Sequence, residues 1–411
     1  MKKIITLLLL PMFITSCDSI GSNSVKNLID LTPRLEVESS TPLKIKSGAN
    51  NPLTMDMQKF YKIAKNTIIG KPAIAKNVVY SIDDNGYASA FSLKEKRILW
   101  STDLAATSSD RHFSSGGVLY SNDRLYITNG SRDLMILDAK TGHEVIRKEF
   151  PDIVRNKPVM ANDRILLVQT INNQLVSYDI KSSKLLWINE GGVEIISMKN
   201  HIYPVIYKDH ALVSFSSGEL LFVDINTGQP KWNYSIANSG DSGLPSFDPS
   251  VLVSSPIISE NYAYFATSNG QIVKLDLDNG AAAWVKNADD VQSISLLGDN
   301  LFITNNARQV AALSTHDGKI NWVGDLISIK ERNAKRPKPA LFQEPFLTKT
   351  NIGYAVNVVA SNGELYQFET NKSGVLSSSP NIIKIDKNVL YQWICCCSGA
   401  LRLITNKYIK Y

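Results

Sequence analysis

Val78 to Trp100 reads VVYSIDDNGYASAFSLKEKRILW, and the fold is decided by how this stretch is read. Two apolar runs flank Asn85-Gly86, and a third ends at Trp100 after a short charged loop. Asn-Gly supplies the positive φ angles of a two-residue hairpin turn, because glycine has no Cβ and asparagine tolerates the left-handed region. Short apolar runs rich in β-branched and aromatic residues, bounded by turn residues, predict consecutive antiparallel strands.

The pattern recurs. Leu125 to Arg147, Ile165 to Trp187, Leu212 to Trp232, Ala263 to Trp284, Leu301 to Trp322 and Gly353 to Leu376 repeat it, and Val389 opens a last unit. The hairpin turns fall at Asn85, Asn129, Asn172, Ser217, Asn269, Asn305, Asn362 and Ser398. A step of about 45 residues with several strands per unit is that of propeller blades, whereas a solenoid repeats in shorter units. A fourth, innermost strand is expected where Lys71-Pro72, Lys157-Pro158, Tyr203-Pro204, Ser255-Pro256 and Glu344-Pro345 precede the units. Proline cannot donate to a ladder and so suits a strand start or an edge. The expectation is an all-β chain: an eight-bladed β-propeller of four-stranded antiparallel blades over residues 41–411. The last unit is one strand short, and Leu43 to Ser47 (LKIKS) is expected to complete it. N- and C-terminal strands would then close the ring and leave no open edge. The one helical pattern lies over Asp56 to Lys65.

Trp100, Trp187, Trp232, Trp284 and Trp322 close their units at the same place. Recurrence predicts packing across the gap to the next blade, where each ring buries about 150–250 Å². Arg147 and the region of Leu376 stand at that place in two units and predict weaker seals.

The chain opens MKKIITLLLLPMFITSC. Two lysines, a short apolar run and small polar residues form a secretory signal over residues 1–16. The run spans about eleven residues, whereas a bilayer-spanning helix needs about 20. Ile14-Thr15-Ser16-Cys17 resembles the lipobox of bacterial lipoproteins, in which the cysteine thiol takes a diacylglycerol. Several acyl chains on Cys17 would anchor stably, where one chain is marginal. Asp18 resembles the inner-membrane retention signal of enteric-type bacteria, so the inner membrane stays open beside the outer. Residues 17–40, rich in Ser and Asn, read as a lipidated tether.

Of 411 residues, 44% are hydrophobic and the formal net charge is +6. That is enough for a large core, and with the basic residues scattered among 38 acidic ones no nucleic-acid stripe forms. The densest basic run, Lys330 to Lys338, reads as a solvated loop. The four cysteines (Cys17, Cys395, Cys396 and Cys397) and five histidines have no metal-ligand spacing. No metal or cofactor is expected.

Asp224-Ile225-Asn226-Thr227-Gly228-Gln229-Pro230-Lys231-Trp232 resembles the PQQ-like repeat, with its spacing D-x-x-x-G-x-x-x-W. A lipobox followed by eight such units and little else resembles the BamB-type lipoproteins of the outer-membrane β-barrel assembly machinery. The resemblance covers nearly all of the mature chain. It implies a non-catalytic scaffold, lipid-anchored on the periplasmic face of the outer membrane. Such a scaffold binds the periplasmic domains of the barrel-assembly channel protein, BamA, and assists unfolded outer-membrane proteins. Family members dock through an apolar-Ser-apolar-basic loop between blades, matched here by Ile196-Ser197-Met198-Lys199. A second family loop carries acidic residues before the next blade's proline. Asp248 is the acidic residue there, and it lies farther from Pro256 than in the family pattern.

The same repeats occur in quinone (PQQ)-dependent dehydrogenases, which hold a calcium ion and an Asp base and often carry two adjacent cysteines. Cys395 to Cys397 resemble those cysteines only superficially, since small thiols also fill strand positions. Gly-x-Ser-x-Gly, His-Glu-x-x-His and phosphate-cradling loops are missing from the sequence. No catalytic residue is assigned. A generic periplasmic propeller that binds peptides or glycans is the other alternative.

Overall fold

The computed structural model describes residues 61–66, 68–105, 113, 115–154, 156–192, 202–236, 251–288, 290–326, 342, 344–350, 353–361, 364–371, 381–384, 390–397 and 400–406. Among them there is no helix. Seven four-stranded antiparallel sheets follow one another in chain order, each built of strands consecutive in sequence. We number them 1 (residues 68–103), 2 (117–149), 3 (159–190), 4 (205–235), 5 (257–287), 6 (291–325) and 7 (346–384).

The turns between second and third strands fall where the sequence places them. Gly86, Gly218 and Gly270 take the left-handed conformation there, with φ of 82°, 78° and 84°. The prolines at 158, 204, 256 and 345 each directly precede the first strand of a sheet. Pro72 differs: it lies inside Ile68–Ala75, where the register shifts between Ile69 and Ala73. A bulge is where a strand tolerates a residue without an N–H.

The core lies between the sheets. One cluster joins sheets 1 and 2 through Ile82, Ala90, Leu125 and Leu137. Others join 2 to 3 through Tyr126 and Tyr178, 3 to 4 through Leu167 and Val213, and 4 to 5 through Leu220 and Phe265. The series ends with Ile272 and Ile303 between 5 and 6, and Phe302 and Phe368 between 6 and 7. Inner strands alternate buried residues toward both neighbours, so each sheet is apolar on two faces and cannot hide either alone.

The tryptophans seal these joints. The indole N–H of Trp100 donates to the carbonyl of Ala139 in sheet 2, and Trp187 to Ile225 in sheet 4. Trp232 and Trp284 reach Leu277 and Thr315 in the same way, all four bonds spanning 2.9–3.1 Å. Each ring lies on the glycine of the next sheet's outer turn. A Cβ on Gly142, Gly228 or Gly280 would stand 2.5–2.7 Å from the indole. Trp322 is instead buried against Phe368, stacked at 5.6 Å. An aromatic pair of this kind contributes about 1 kcal/mol beyond its buried area.

In sheet 2 the residue at the tryptophan place is Ile146, not Arg147. Ile146 pairs with Ile136 just before the bulge, as Trp187 pairs with Ser177 and Trp232 with Phe222. Arg147 pairs one step later with Met135, bonds to Asp133 and Glu144, and reaches back to Leu104 O of sheet 1 at 3.2 Å rather than forward to sheet 3. Ile146 packs into the cluster between sheets 2 and 3.

An eighth sheet has three strands. Leu390–Cys397 and Ala400–Asn406 form an antiparallel hairpin, and Tyr61–Lys62 pairs parallel to Ile404–Thr405. Tyr61 and Lys62 are therefore strand where the sequence suggests helix. Leu43 to Ser47 lie outside the described residues. Ile63 and Ala64 pack with Ile68, Val79 and Phe91 of sheet 1, apart from the cluster that faces sheet 2. Leu390–Cys397 runs beside Ile68–Ala75. Cys395, Cys396 and Cys397 pair with Arg402, Leu401 and Ala400 in this hairpin. The region of Leu376 lies outside the described residues, and the outer strand of sheet 7 is Asn381–Lys384.

Candidate docking face

Four antiparallel strands alternate direction. The turn between second and third strands and the connection to the next sheet therefore leave at the same end. That end gathers seven turns and the longest connections, which makes it the candidate docking face. Ile196, Ser197, Met198 and Lys199 belong to the connection from sheet 3 to sheet 4, and Asp248 to the next one. These five residues and Cys17 lie outside the described residues. The roots of both connections are described, and that of the first is built unlike the others.

The common root is an apolar plug. Leu104, Phe150, Ile236, Ala288 and Leu326 each follow an outer strand directly, and none is more than 4% exposed. Each donates its N–H to the sheet's own turn, at Gly86, Arg132, Gly218, Gly270 and Arg308. The bond ties the connection to the turn, and the side chain fills the end of the joint.

Sheet 3 keeps the bond and loses the plug. Gly191 N–H donates to Asn173 O at 2.8 Å, but glycine brings no side chain. Phe215 of sheet 4 fills the space from the other side. A Cβ on Gly191 would stand 2.4 Å from Phe215 Cγ. Asn173 takes φ of 58° where Gly218 and Gly270 stand in sheets 4 and 5. Its side chain compensates for the cost of that conformation. Nδ2 donates to Gly192 O at 2.8 Å, and Oδ1 accepts from Ser216 N–H at 3.1 Å and Ser216 O–H at 2.7 Å. Gly192 N–H donates in turn to Glu219 Oε2 at 3.2 Å. On the far side of the connection Asn156 Nδ2 donates to Ile202 O. Thr128 O–H holds Asn156 through its carbonyl at 2.9 Å. Side chains from three sheets thus clamp both roots of the segment that carries Ile196 to Lys199.

The inner rim carries charge at the residues before the prolines. Lys157 Nζ sits 4.2 Å above the Tyr203 ring. Burial, with help from the nearby Lys71 cation, moves its ammonium below the usual lysine value. Burial moves the Glu344 carboxyl above its usual value, and Lys71 opposes that shift. Both directions follow from crowding by protein along a rim that solvent still reaches. Among the described residues no three His, Cys, Asp or Glu side chains converge as a metal site would require.

Sequence reasoning named Ile196 to Lys199 and Asp248 as candidates and missed Asn156, Asn173 and Glu219 at the roots of the first segment. Two signals were there to read. The sheet 3 turn has no glycine, and a Gly191-Gly192 pair replaces the usual apolar residue after its outer strand.

The family model described as "Outer membrane protein assembly factor BamB" matches residues 84–323. The chain is 41% identical to "Uncharacterized protein RP232" of Rickettsia prowazekii, over 95% of this chain and 94% of that one. It is 30% identical to the outer membrane protein assembly factor BamB of Legionella pneumophila, over 76% and 78% of the two chains. Among solved structures, BamB from Moraxella catarrhalis superposes with a TM-score of 0.60 at 16% identity, covering 87% of this chain and 94% of that one.

Proposed function

Because the chain belongs to the BamB family of outer membrane protein assembly factors, we propose that it is a non-catalytic scaffold of outer-membrane protein assembly. In this reading it holds the periplasmic domains of the BamA-type channel protein and assists unfolded outer-membrane proteins. Ile196, Ser197, Met198 and Lys199 make the main contact, and Asp248 an auxiliary one. Residues 41–411 form one ring of eight blades. The signal over residues 1–16 directs export. Acyl chains on Cys17 fix the protein to the periplasmic face of the outer membrane, and residues 17–40 give the ring its reach.

One observation supports this reading above the others: both roots of residues 193–201 are clamped, by Asn173 and Glu219 at Gly192 and by Asn156 at Ile202. A recognition segment fixed at its ends loses less freedom on binding than a free one. Crosslinking from a photoreactive residue at position 199 in cells tests the reading. Capture of the channel protein is expected, and a crosslinked set without any barrel-assembly component would overturn it.

A further inference from the structure

A polar cavity of about 40 Å³ lies at the joint of sheets 3 and 4, lined by Asn156, Gln169, Asn173, Ser214 and Ser216 among others. Ile202 and Val251, in the last stretches of the two long connections, also line it, so it sits at the root of both. Each of its amide nitrogens already donates one bond. Gln169 Nε2 donates to Ser214 O at 2.7 Å, Asn173 Nδ2 to Gly192 O, and Asn156 Nδ2 to Ile202 O. Gln169 Oε1 is different. The residue is 8% exposed, and this oxygen is buried with no donor among the described residues. Facing a carbonyl fixes which end of the amide is nitrogen, so the orphan atom is an acceptor. Buried acceptors are nearly always satisfied in folded proteins, and one that is not points to something the chain itself does not supply.

We propose that this cavity is a socket for one neutral hydrogen-bond donor, the carboxamide or hydroxyl end of a short side chain on the docked partner. The volume admits such an end and little more. A carboxylate only accepts, so it has no proton to give Gln169 Oε1 and is repelled by it. An ammonium would shed its hydration for one neutral oxygen, which does not compensate for the loss. The identity of the occupant rests on the docking reading above; the existence of the site does not.

Acetamide serves as the probe, with N,N-dimethylacetamide, which has no N–H, as control. Both are titrated into the full chain, deuterated and labelled with nitrogen-15, and followed by NMR. Acetamide is expected to shift the Gln169 side-chain and Ser216 backbone resonances to saturation, with a Kd on the order of millimolar. The control leaves them unmoved, and Gln169→Leu abolishes the response. Gln169→Met, closer in length, repeats the test should leucine disturb the fold. Equal, unsaturated shifts with both probes, or an unchanged response in both variants, would mean that the cavity holds only water and would overturn the socket. Binding to the partner's periplasmic domains is measured in parallel, with about a tenfold loss expected for Gln169→Met. Unchanged affinity in the variant overturns the occupant. Failure of the wild-type chain to bind counts against the docking reading instead, and the acetamide titration still decides the socket.

Discussion

Trp187 lies flat on Gly228: a Cβ on that glycine would stand 2.6 Å from indole Cδ2, while the indole N–H donates to Ile225 O at 3.0 Å. Gly228→Ala therefore meets two penalties, the clash and a φ of 72° that alanine rarely adopts. A loss of about 2 kcal/mol is expected. Thermal unfolding checks it, and in a Trp187→Ala background the clash part of the loss disappears.

The joint of sheets 2 and 3 carries the inverse pair. Ile146 stands where other sheets have tryptophan, and Ser183, at φ 57°, stands where others have glycine. Ile146→Trp alone is expected to destabilise, because the indole meets the Ser183 side chain. Adding Ser183→Gly removes the obstacle. A double-mutant cycle in denaturant should show favourable coupling of about 1 kcal/mol.

Acid should loosen the outer turns. Asp179 is held well below the usual carboxylate range, first by Arg164 and then by the Ser182 hydroxyl. Asp138 and Asp224 are lowered chiefly by the N–H groups of Thr141 and Thr227. A depressed folded pKa gives stability that is complete above the unfolded value, about 4, and is lost as pH falls toward the folded one. Asp83, raised by burial, acts in the opposite sense. Melting temperature should fall below about pH 4, and less steeply in Asp179→Asn.

Asn173→Gly keeps the left-handed turn and cuts the ties to Gly192 and Ser216. Partner affinity is expected to fall about tenfold. The melting temperature should change by only a few degrees. Calorimetric binding and unfolding on the same samples separate the two effects.

Cys17→Ser should move the protein from the membrane to the soluble periplasmic fraction. Fractionation and metabolic labelling with palmitate check it, and retention on the membrane would argue for another anchor.

The repeated elements were legible because local chemistry forces them. Asn85-Gly86 can only turn, proline marks strand starts, and D-x-x-x-G-x-x-x-W recurs with fixed spacing. What escaped depends on partners distant in sequence. Ile146 was hidden by one residue of register that only pairing with Ile136 reveals. Tyr61–Lys62 is too short to announce a strand and owes its conformation to Ile404–Thr405. The clamp around Gly192 joins Asn173 to Ser216, 43 residues away, which no local pattern encodes.

The parallel pairing of Tyr61–Lys62 with Ile404–Thr405 joins two strands that are made far apart in time. A chain that leaves the ribosome from its N-terminus must keep Tyr61–Lys62 waiting until Ile404 and Thr405 arrive. The latch is thus a checkpoint on completeness: a molecule cut short before Ile404 would carry seven finished sheets and nothing for Tyr61 to grip. Proteases that seek unpaired strands would find the truncated chain by that loose end alone.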